Sequence, residues 1–337
     1  MNMPPINHEQ ISSFCVSIGN NPLLVQGAGG NVSWKDGDKL WIKASGTWLA
    51  HAKNKSIFVP VDLYDLKKSI LEKKFFVSPK LKIDSPLRPS IETVLHALLP
   101  HPIVVHIHPI EALSFLVLRE PHEAFNRVRE LMSEEIIMIP YRQPGGELSS
   151  TISSVIHEKN IRCIFLQNHG VVLGASSIMD MNDLISSLRL ACQSVSHKIN
   201  FSTNRSHISS FFDEYFPPED YEINMLAINP EWFKRLKDDW VLFPDHAVFL
   251  GPKAFFFHNI EEFKAFTKLK LSPQLIFVKD KGVFYKSSFS LTQKIQLRCY
   301  LDLLQRIHPD SELNPLSMQE VNNLLNWDAE KFRQQYS

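Results

Sequence analysis

The residues best placed to do chemistry are the histidines of Val104-Val-His-Ile-His-Pro109, where His106 and His108 stand two apart on a β-branched run. Side chains two apart on a strand share a face, so both imidazoles can reach one cation through ring nitrogens. Two imidazoles leave a coordination shell incomplete. Asn168-His169-Gly170 offers a third at the end of the apolar run Ile164 to Gln167, with a glycine behind it that lets the chain turn. A lone histidine on an apolar segment is more often a hydrogen-bonded structural residue, and the chain holds 14 of them. The pair on one strand, with a third in its own strand-and-turn context, is what points to a divalent metal.

Glu92 follows Pro89-Ser90 at the start of a predicted helix, where Ser90 is a candidate N-cap and an acidic residue suits the positive end of the dipole. The same carboxylate beside a divalent cation can move a proton to and from the carbon next to a carbonyl. Position along the chain leaves both roles open. Upstream, Gly27-Ala-Gly-Gly-Asn-Val-Ser33 is a glycine-rich loop, and Lys43-Ala-Ser-Gly46 follows the next strand. Such loops turn backbone N–H groups and small hydroxyls towards a phosphate or carboxylate, and they equally form ordinary tight turns. This one lacks both the lysine-serine ending of a P-loop and the spacing of a dinucleotide fingerprint.

The elements that must hold these residues are legible in outline. Lys39 to Lys43 alternates as a strand, Ile103 to His108 is a β-branched run ended by Pro109, and Cys163 to Gln167 is a third strand. Leu184, Leu188, Ala191, Val195 and Ile199 recur at helical spacing, which predicts an amphipathic helix packed on a sheet, an α/β layer arrangement. Further on, Ala247 to Leu250 and Leu275 to Val278 read as strands. The second of these turns through Lys279-Asp-Lys-Gly282 into Val283 to Tyr285, and helices are predicted at 291–307 and 317–334.

A length of 337 residues exceeds the usual single core, so two domains are expected. Ten of the 12 glycines lie between Gly19 and Gly174, whereas 23 of the 36 aromatic residues lie from Phe211 onward, so the halves differ in kind. The polar stretch Asn200 to Ser210 is the candidate linker, which divides the chain into 1–205 and 211–337. Composition is that of an ordinary soluble globular protein: 44 % hydrophobic, 21 % charged, with 36 basic against 36 acidic side chains. A balanced charge gathers neither nucleic acid nor anionic lipid, so an anionic substrate must be captured by local groups. Apolar runs such as Ile136 to Ile139 are too short to span a bilayer, and Met1 to Gln10 carries no targeting pattern, so a cytoplasmic location without membrane contact is expected. Cys15, Cys163, Cys192 and Cys299 lie far apart without a CxxC pair and read as free, buried thiols.

Six blocks in this order resemble the class II aldolase/adducin family over roughly residues 8 to 200: Gly29-Gly-Asn-Val-Ser33, Ile42-Lys-Ala-Ser-Gly46, Pro89-Ser-Ile-Glu92, His106-Ile-His-Pro109, Pro140-Tyr-Arg-Gln-Pro-Gly145 and Asn168-His-Gly170. The resemblance implies a three-layer α/β/α sandwich on a mainly antiparallel sheet, with the remaining chain as a smaller α+β accessory domain. It further implies that His106, His108 and His169 hold Zn2+, or Mn2+ or Co2+ in its place, and that Glu92 is the catalytic acidic residue. Gly30, Asn31, Ser45, Gly46 and Ser90 match positions around the substrate phosphate. Ile91 departs from the pattern, since the phosphate-binding members carry a second serine there. The implied reaction is cleavage of a ketose or ketose phosphate through an enediolate, in a homotetramer with sites between subunits. An epimerase or decarboxylase of the family would use the same metal. An adducin-like interaction module is the third reading, but such divergence erodes metal ligands and all three are present here. In the family a neighbouring subunit, often through a tyrosine, protonates the leaving group, and no counterpart is assigned in this chain.

Beyond the matched part, Leu242-Phe-Pro-Asp-His-Ala-Val-Phe-Leu-Gly251 resembles a stretch found after the aldolase part of longer bacterial members, including those fused to a short-chain dehydrogenase. Gly251 and Gly282 are the only glycines after Gly174, too few for a dinucleotide loop. Asp245 and His246 in this stretch are candidates for extra active-site groups, and a structural or interface role is the favoured reading.

Overall fold

The alternating and β-branched stretches of the first two hundred residues pair into one seven-stranded sheet. The computed structural model describes residues 7–156, 161–197, 214–269 and 271–336. Along the chain run α1 (His8–Gly19), β1 (Asn31–Asp36), β2 (Lys39–Lys43), β3 (Phe58–Asp62), α2 (Leu63–Leu71), α3 (Thr93–Leu98) and β4 (Ile103–Ile107). Then come α4 (Ile110–Leu116), α5 (His122–Leu131), β5 (Ile136–Ile139), α6 (Gly146–Val155), β6 (Cys163–Leu166), β7 (Gly170–Ala175) and α7 (Ile178–Gln193). The strand order is β3-β2-β1-β4-β7-β6-β5, and every pairing is antiparallel except β5 with β6. Helices α1, α4, α5 and α7 pack on one face, and α2, α3 and α6 on the other. The expected three-layer sandwich on a mainly antiparallel sheet is therefore what the chain forms.

Strand β4 lies at the centre, paired with β1 and β7. Ile103, Val105 and Ile107 enter the core shared with α1, α4 and α7, while Val104 faces the layer of α3 and α6. Burial on both faces explains its near-continuous apolar sequence. His106, on the same face as Val104, is the polar exception.

The remaining chain adds β8 (Tyr215–Phe216), α8 (Met225–Ile228), α9 (Pro230–Asp238), α10 (Pro244–Leu250), β9 (Phe256–Phe257) and α11 (Ile260–Thr267). It ends with β10 (Leu275–Val278), β11 (Gly282–Lys286), α12 (Leu291–Leu304), α13 (Met318–Asn326) and α14 (Asp328–Tyr336). Its four strands form a second sheet in the order β8-β11-β10-β9, with β10 and β11 as the expected hairpin. Two expectations are corrected. Ala247 to Leu250 is helical, because Pro244 supplies the preset first turn after an extended Phe243, and a four-residue apolar run has no period of its own. The helix expected over 317–334 is two helices, since Trp327 leaves the helical region at ψ 123°. The linker stretch Asn200 to Ser210, and Ile199 of the heptad-like run, lie outside the described residues; α7 ends at Gln193, with Val195 still packed beside the core.

The C-terminal region does not stand apart from the sandwich. Ile110, Leu113 and Val117 of the α4 segment share one core with Trp240, Tyr300, Leu301 and Leu324. Asn168 adds a polar tie: its amide donates to Leu242 O at 2.9 Å and to Asn314 O at 2.7 Å, with its own backbone left-handed at φ 52°. All four cysteines are free and buried.

Replacing Asn168 by Ala should strip two carbonyls of their donor and leave a side chain without compensation in a left-handed position. The expected loss is about 2–4 kcal/mol, read as a lower urea midpoint at unchanged slope. A loss below about 0.5 kcal/mol, the range of a neutral surface change, would show that this turn is not anchored through its amide.

Candidate metal centre

Sheet register brings the first pair of functional side chains together: Asn31 of β1 stands opposite His106 of β4, and Val172 of β7 flanks His106 on the other side. His108 follows directly after β4, and His169 sits in the turn between β6 and β7. Candidate ligand atoms of the three imidazoles lie within 4.8 Å of one another, and all three residues are buried. The left-handed residue of that turn is Asn168 rather than Gly170. Gly170 has a different reason to lack a side chain: a Cβ there would stand 2.5 Å from Ile107 O and 2.7 Å from His108 Cδ2.

The ring nitrogens have distinct partners. His106 Nδ1 lies 3.1 Å from Val171 O, so it carries the proton that it donates, and Nε2 of a neutral ring holds a lone pair. That Nε2 faces His108 Nε2 at 3.0 Å. Burial pushes the His108 imidazole down to about 3, helped by His106 alongside. His169 is held well below the ordinary histidine range, first by burial and then by the other two rings. His108 and His169 are therefore neutral, with lone pairs to offer.

Glu92 completes the constellation. Its Oε2 is 3.6 Å from His106 Nε2 and its Oε1 is 3.7 Å from His169 Nε2. Asn31 Nδ2 donates to Oε2 at 2.7 Å, while Oε1 has no hydrogen-bond partner among the described residues. The helix-cap reading of this side chain does not hold, because α3 begins at Thr93 and the Glu92 carboxylate bonds none of its amides. Ser90 Oγ instead accepts from the Glu92 N–H at 3.2 Å and fixes the backbone there. Three buried imidazoles with facing nitrogens and an orphaned buried carboxylate oxygen form a donor set that suits zinc, manganese or cobalt.

These groups line one cavity of about 20 Å3, room for an ion or a water molecule. Gly30, Asn31, Ser45, Gly46, Ser90, Glu92, His106, His108 and His169 all border it, as do Lys43, Asp245, Glu330 and Arg333. Lys43 is buried with Nζ donating to Ala28 O at 3.0 Å and Thr47 O at 2.6 Å, and burial pulls its ammonium down to about 7. Asp245 pairs with Arg333 through Oδ1 and lies 3.7 Å from His108 Nδ1 through Oδ2. Burial alone would raise its carboxyl, but the Arg333 guanidinium paired with it outweighs that and holds it low. Glu330 is buried with one oxygen 2.8 Å from Arg333 Nε, and burial lifts its carboxyl to about 7.

Sequence reasoning thus missed Lys43, Glu330 and Arg333 as cavity residues and placed Asp245 elsewhere. Lys43 lies within Ile42-Lys-Ala-Ser-Gly46, at the end of a strand where a lysine carries no signal of burial. Glu330 and Arg333 sit three apart on a polar terminal helix, a spacing shared with ordinary surface ion pairs. His246, by contrast, is packed among Trp240, Phe243 and Tyr300 with neither ring nitrogen bonded, a core residue.

Sandwich, three histidines and carboxylate define a class before any comparison is made. The model of the family described as the class II aldolase and adducin N-terminal domain matches residues 10–195, and the chain belongs to that family. An uncharacterized oxidoreductase of Bacillus subtilis (strain 168), YuxG, is 27 % identical over 201 residues, 54 % of this chain but only 29 % of that protein. An L-fuculose phosphate aldolase of Methanococcus maripaludis is 26 % identical over 157 residues, covering 46 % of this chain and 78 % of the relative. Among solved structures, the N-terminal class II aldolase domain of a conserved Thermoplasma acidophilum protein is 22 % identical with a TM-score of 0.48, over 58 % of this chain and 95 % of that one. No helix of the described residues is long and apolar enough to cross a membrane.

The depressed Lys43 ammonium sets a pH signature. Between its folded value of about 7 and its ordinary 10.5, the unfolded chain holds a proton that the folded chain lacks, so stability rises with pH across that window. The slope should approach about 1.4 kcal/mol per pH unit in metal-free protein. Lys43→Met should flatten it, with the two curves running parallel below pH 7. Equal slopes in chemical unfolding of both proteins from pH 7 to 10 would show that Lys43 is charged when folded.

Proposed function

We propose that the chain is a divalent-metal-dependent carbon–carbon lyase that cleaves or forms a ketose or ketose phosphate. The observation that carries this reading is the placement of Glu92, whose two oxygens reach towards the His106 and His169 nitrogens while Oε1 stays unbonded. A divalent ion held by His106, His108 and His169 would supply Lewis-acid polarisation of a carbonyl and its neighbouring hydroxyl, worth several kcal/mol. Glu92 then takes or returns the proton at the carbon or hydroxyl next to that carbonyl. Asn31 fixes Oε2 by its hydrogen bond, which leaves Oε1 as the basic atom. Ser90 holds the Glu92 backbone, so the carboxylate swings little. Burial of the whole constellation excludes water, which strengthens each of these contacts and protects a carbanion from stray protons. The name of the Methanococcus relative supports a sugar phosphate as substrate.

The test joins metal and proton. Purified protein should retain one zinc, manganese or cobalt ion per chain, and His106→Ala with His108→Ala should lose it without unfolding. Glu92→Gln should keep the ion, yet exchange the carbon-bound protons of dihydroxyacetone or its phosphate in deuterated water about 10²–10⁴-fold more slowly. A panel of ketoses with and without phosphate should release an aldehyde; epimers without aldehyde would instead favour an epimerase. Absence of bound ion from both native and metal-supplemented protein would end the reading.

A further inference from the structure

A metal-bound imidazole needs its second nitrogen fixed, because an unanchored ring rotates its lone pair off the metal. His106 has such an anchor in Val171 O. For His108, whose Nε2 faces His106 Nε2, the opposite nitrogen Nδ1 faces Asp245 Oδ2 at 3.7 Å. This carboxylate comes from α10, outside the segment matched by the family model.

We propose that Asp245 is the positioning residue of the metal centre: it accepts the His108 Nδ1 proton, presents Nε2 to the ion, and is itself held by Arg333 of α14. The inference rests on the metal reading and extends it to the C-terminal region, which thereby completes the site within one chain.

Four observations support it. Asp245 is only 2 % exposed, so its carboxylate has no bulk water to turn to. Its Oδ1 is committed to Arg333, which leaves Oδ2 for His108 and for Gln296, whose amide Nε2 stands 3.5 Å away. The loop opposite is shaped around this approach: a Cβ on Gly29 would stand 3.0 Å from Asp245 Oδ2 and 3.2 Å from His108 Nδ1. A side chain there would wedge the pair apart. Finally, α10 is pinned from several sides, with Ala247 in the core shared with α4 and Gln334 of α14 donating to Val248 O. The carboxylate is therefore carried on a rigid mount.

The chain of contacts runs Arg333, Asp245, His108, ion. Each link has a separate consequence. Without the carboxylate's charge, Nδ1–H loses its acceptor and Nε2 its added basicity, which elsewhere lowers metal affinity about 10–100-fold. Without Arg333, the carboxylate stays but is free to turn, so a smaller loss follows.

The test measures zinc affinity by competition with a chromophoric chelator, using the full chain. Asp245→Asn, of equal shape, should weaken zinc binding about 10–100-fold, and Arg333→Met by less, with the metal-free melting temperatures of both measured alongside. Asp245→Asn binding within twofold of the native protein, at an unchanged melting temperature, overturns the proposal while leaving the metal reading intact. A native protein that binds no zinc overturns both. Where Asp245→Asn fails to fold, the native protein decides: nitrogen-15 histidine spectra of the zinc-loaded chain should show His108 protonated at Nδ1, with a slowly exchanging proton. Protonation at Nε2 instead overturns the proposal.

Discussion

His106 Nε2 and His108 Nε2 face each other at 3.0 Å, on two buried imidazoles that border the same cavity. A shared proton or a cation between two such nitrogens draws them together, and in a poorly screened interior that attraction is strong. The surrounding fold is what enforces the approach. Strand β4 is locked between β1 and β7, its odd residues seated in one core and Val104 in the other, so His106 cannot slide along the sheet. Val171 O fixes its tautomer, and Gly170 gives up its side chain so that the strand end can close on His108. Stability of the apolar layers thus keeps the two imidazoles in contact.

A second constraint follows from the charges around the pair. Glu92, Asp245, Glu330 and Lys43 are buried, and Arg333 is largely so. Buried charges persist only when paired and hydrogen-bonded, and removing one partner strands the other at a cost of several kcal/mol. Arg333 sits between Asp245 and Glu330, and Lys43 spends its donors on two backbone carbonyls. The acids of this set are drawn from α3, α10 and α14, so charge balance at the site requires the last hundred residues to be in place. Packing agrees: α4, the helix that follows His108-Pro109, shares its core with α12 and α13.

Helix α14 also sets the size of the cavity. Tyr336 packs on Gly46, Trp327 on Gly145, and Phe332 lies under the Arg88 guanidinium at 4.2 Å from the ring centre. These contacts lay the helix across the side bordered by Ser45, Gly46 and Ser90, the residues matched to a phosphate subsite. The remaining volume of about 20 Å3 is therefore fixed by aromatic packing of the chain's end rather than by the histidines. Removing bulk water from this side is part of what holds the His108 and Glu92 environments at low polarity.

How much of this was legible in the sequence depends on how local each signal is. The central strands were legible because a buried strand writes itself as a contiguous β-branched run, as Ile103 to Ile107 does, and because β2 alternates cleanly, whereas the three-layer sandwich followed from the resemblance of the six ordered blocks. The histidines and Glu92 fell inside short ordered blocks, so their meeting in space needed only the fold. Ala247 to Leu250 misled because four apolar residues carry no period, and the proline that starts the helix stood outside the run. Glu330 and Arg333 were illegible, and Asp245 was read towards a structural role, for a deeper reason. Their role comes from a pairing across 88 residues, between the first turn of one short helix and the polar face of another. An i,i+3 Glu–Arg spacing on a terminal helix looks the same whether it is solvated or buried beside a cluster of histidines. Only the tertiary packing of α10 and α14 against β4 distinguishes the two cases. The first half of the site is thus written locally in the sequence, and the second half exists only once the C-terminal core has formed.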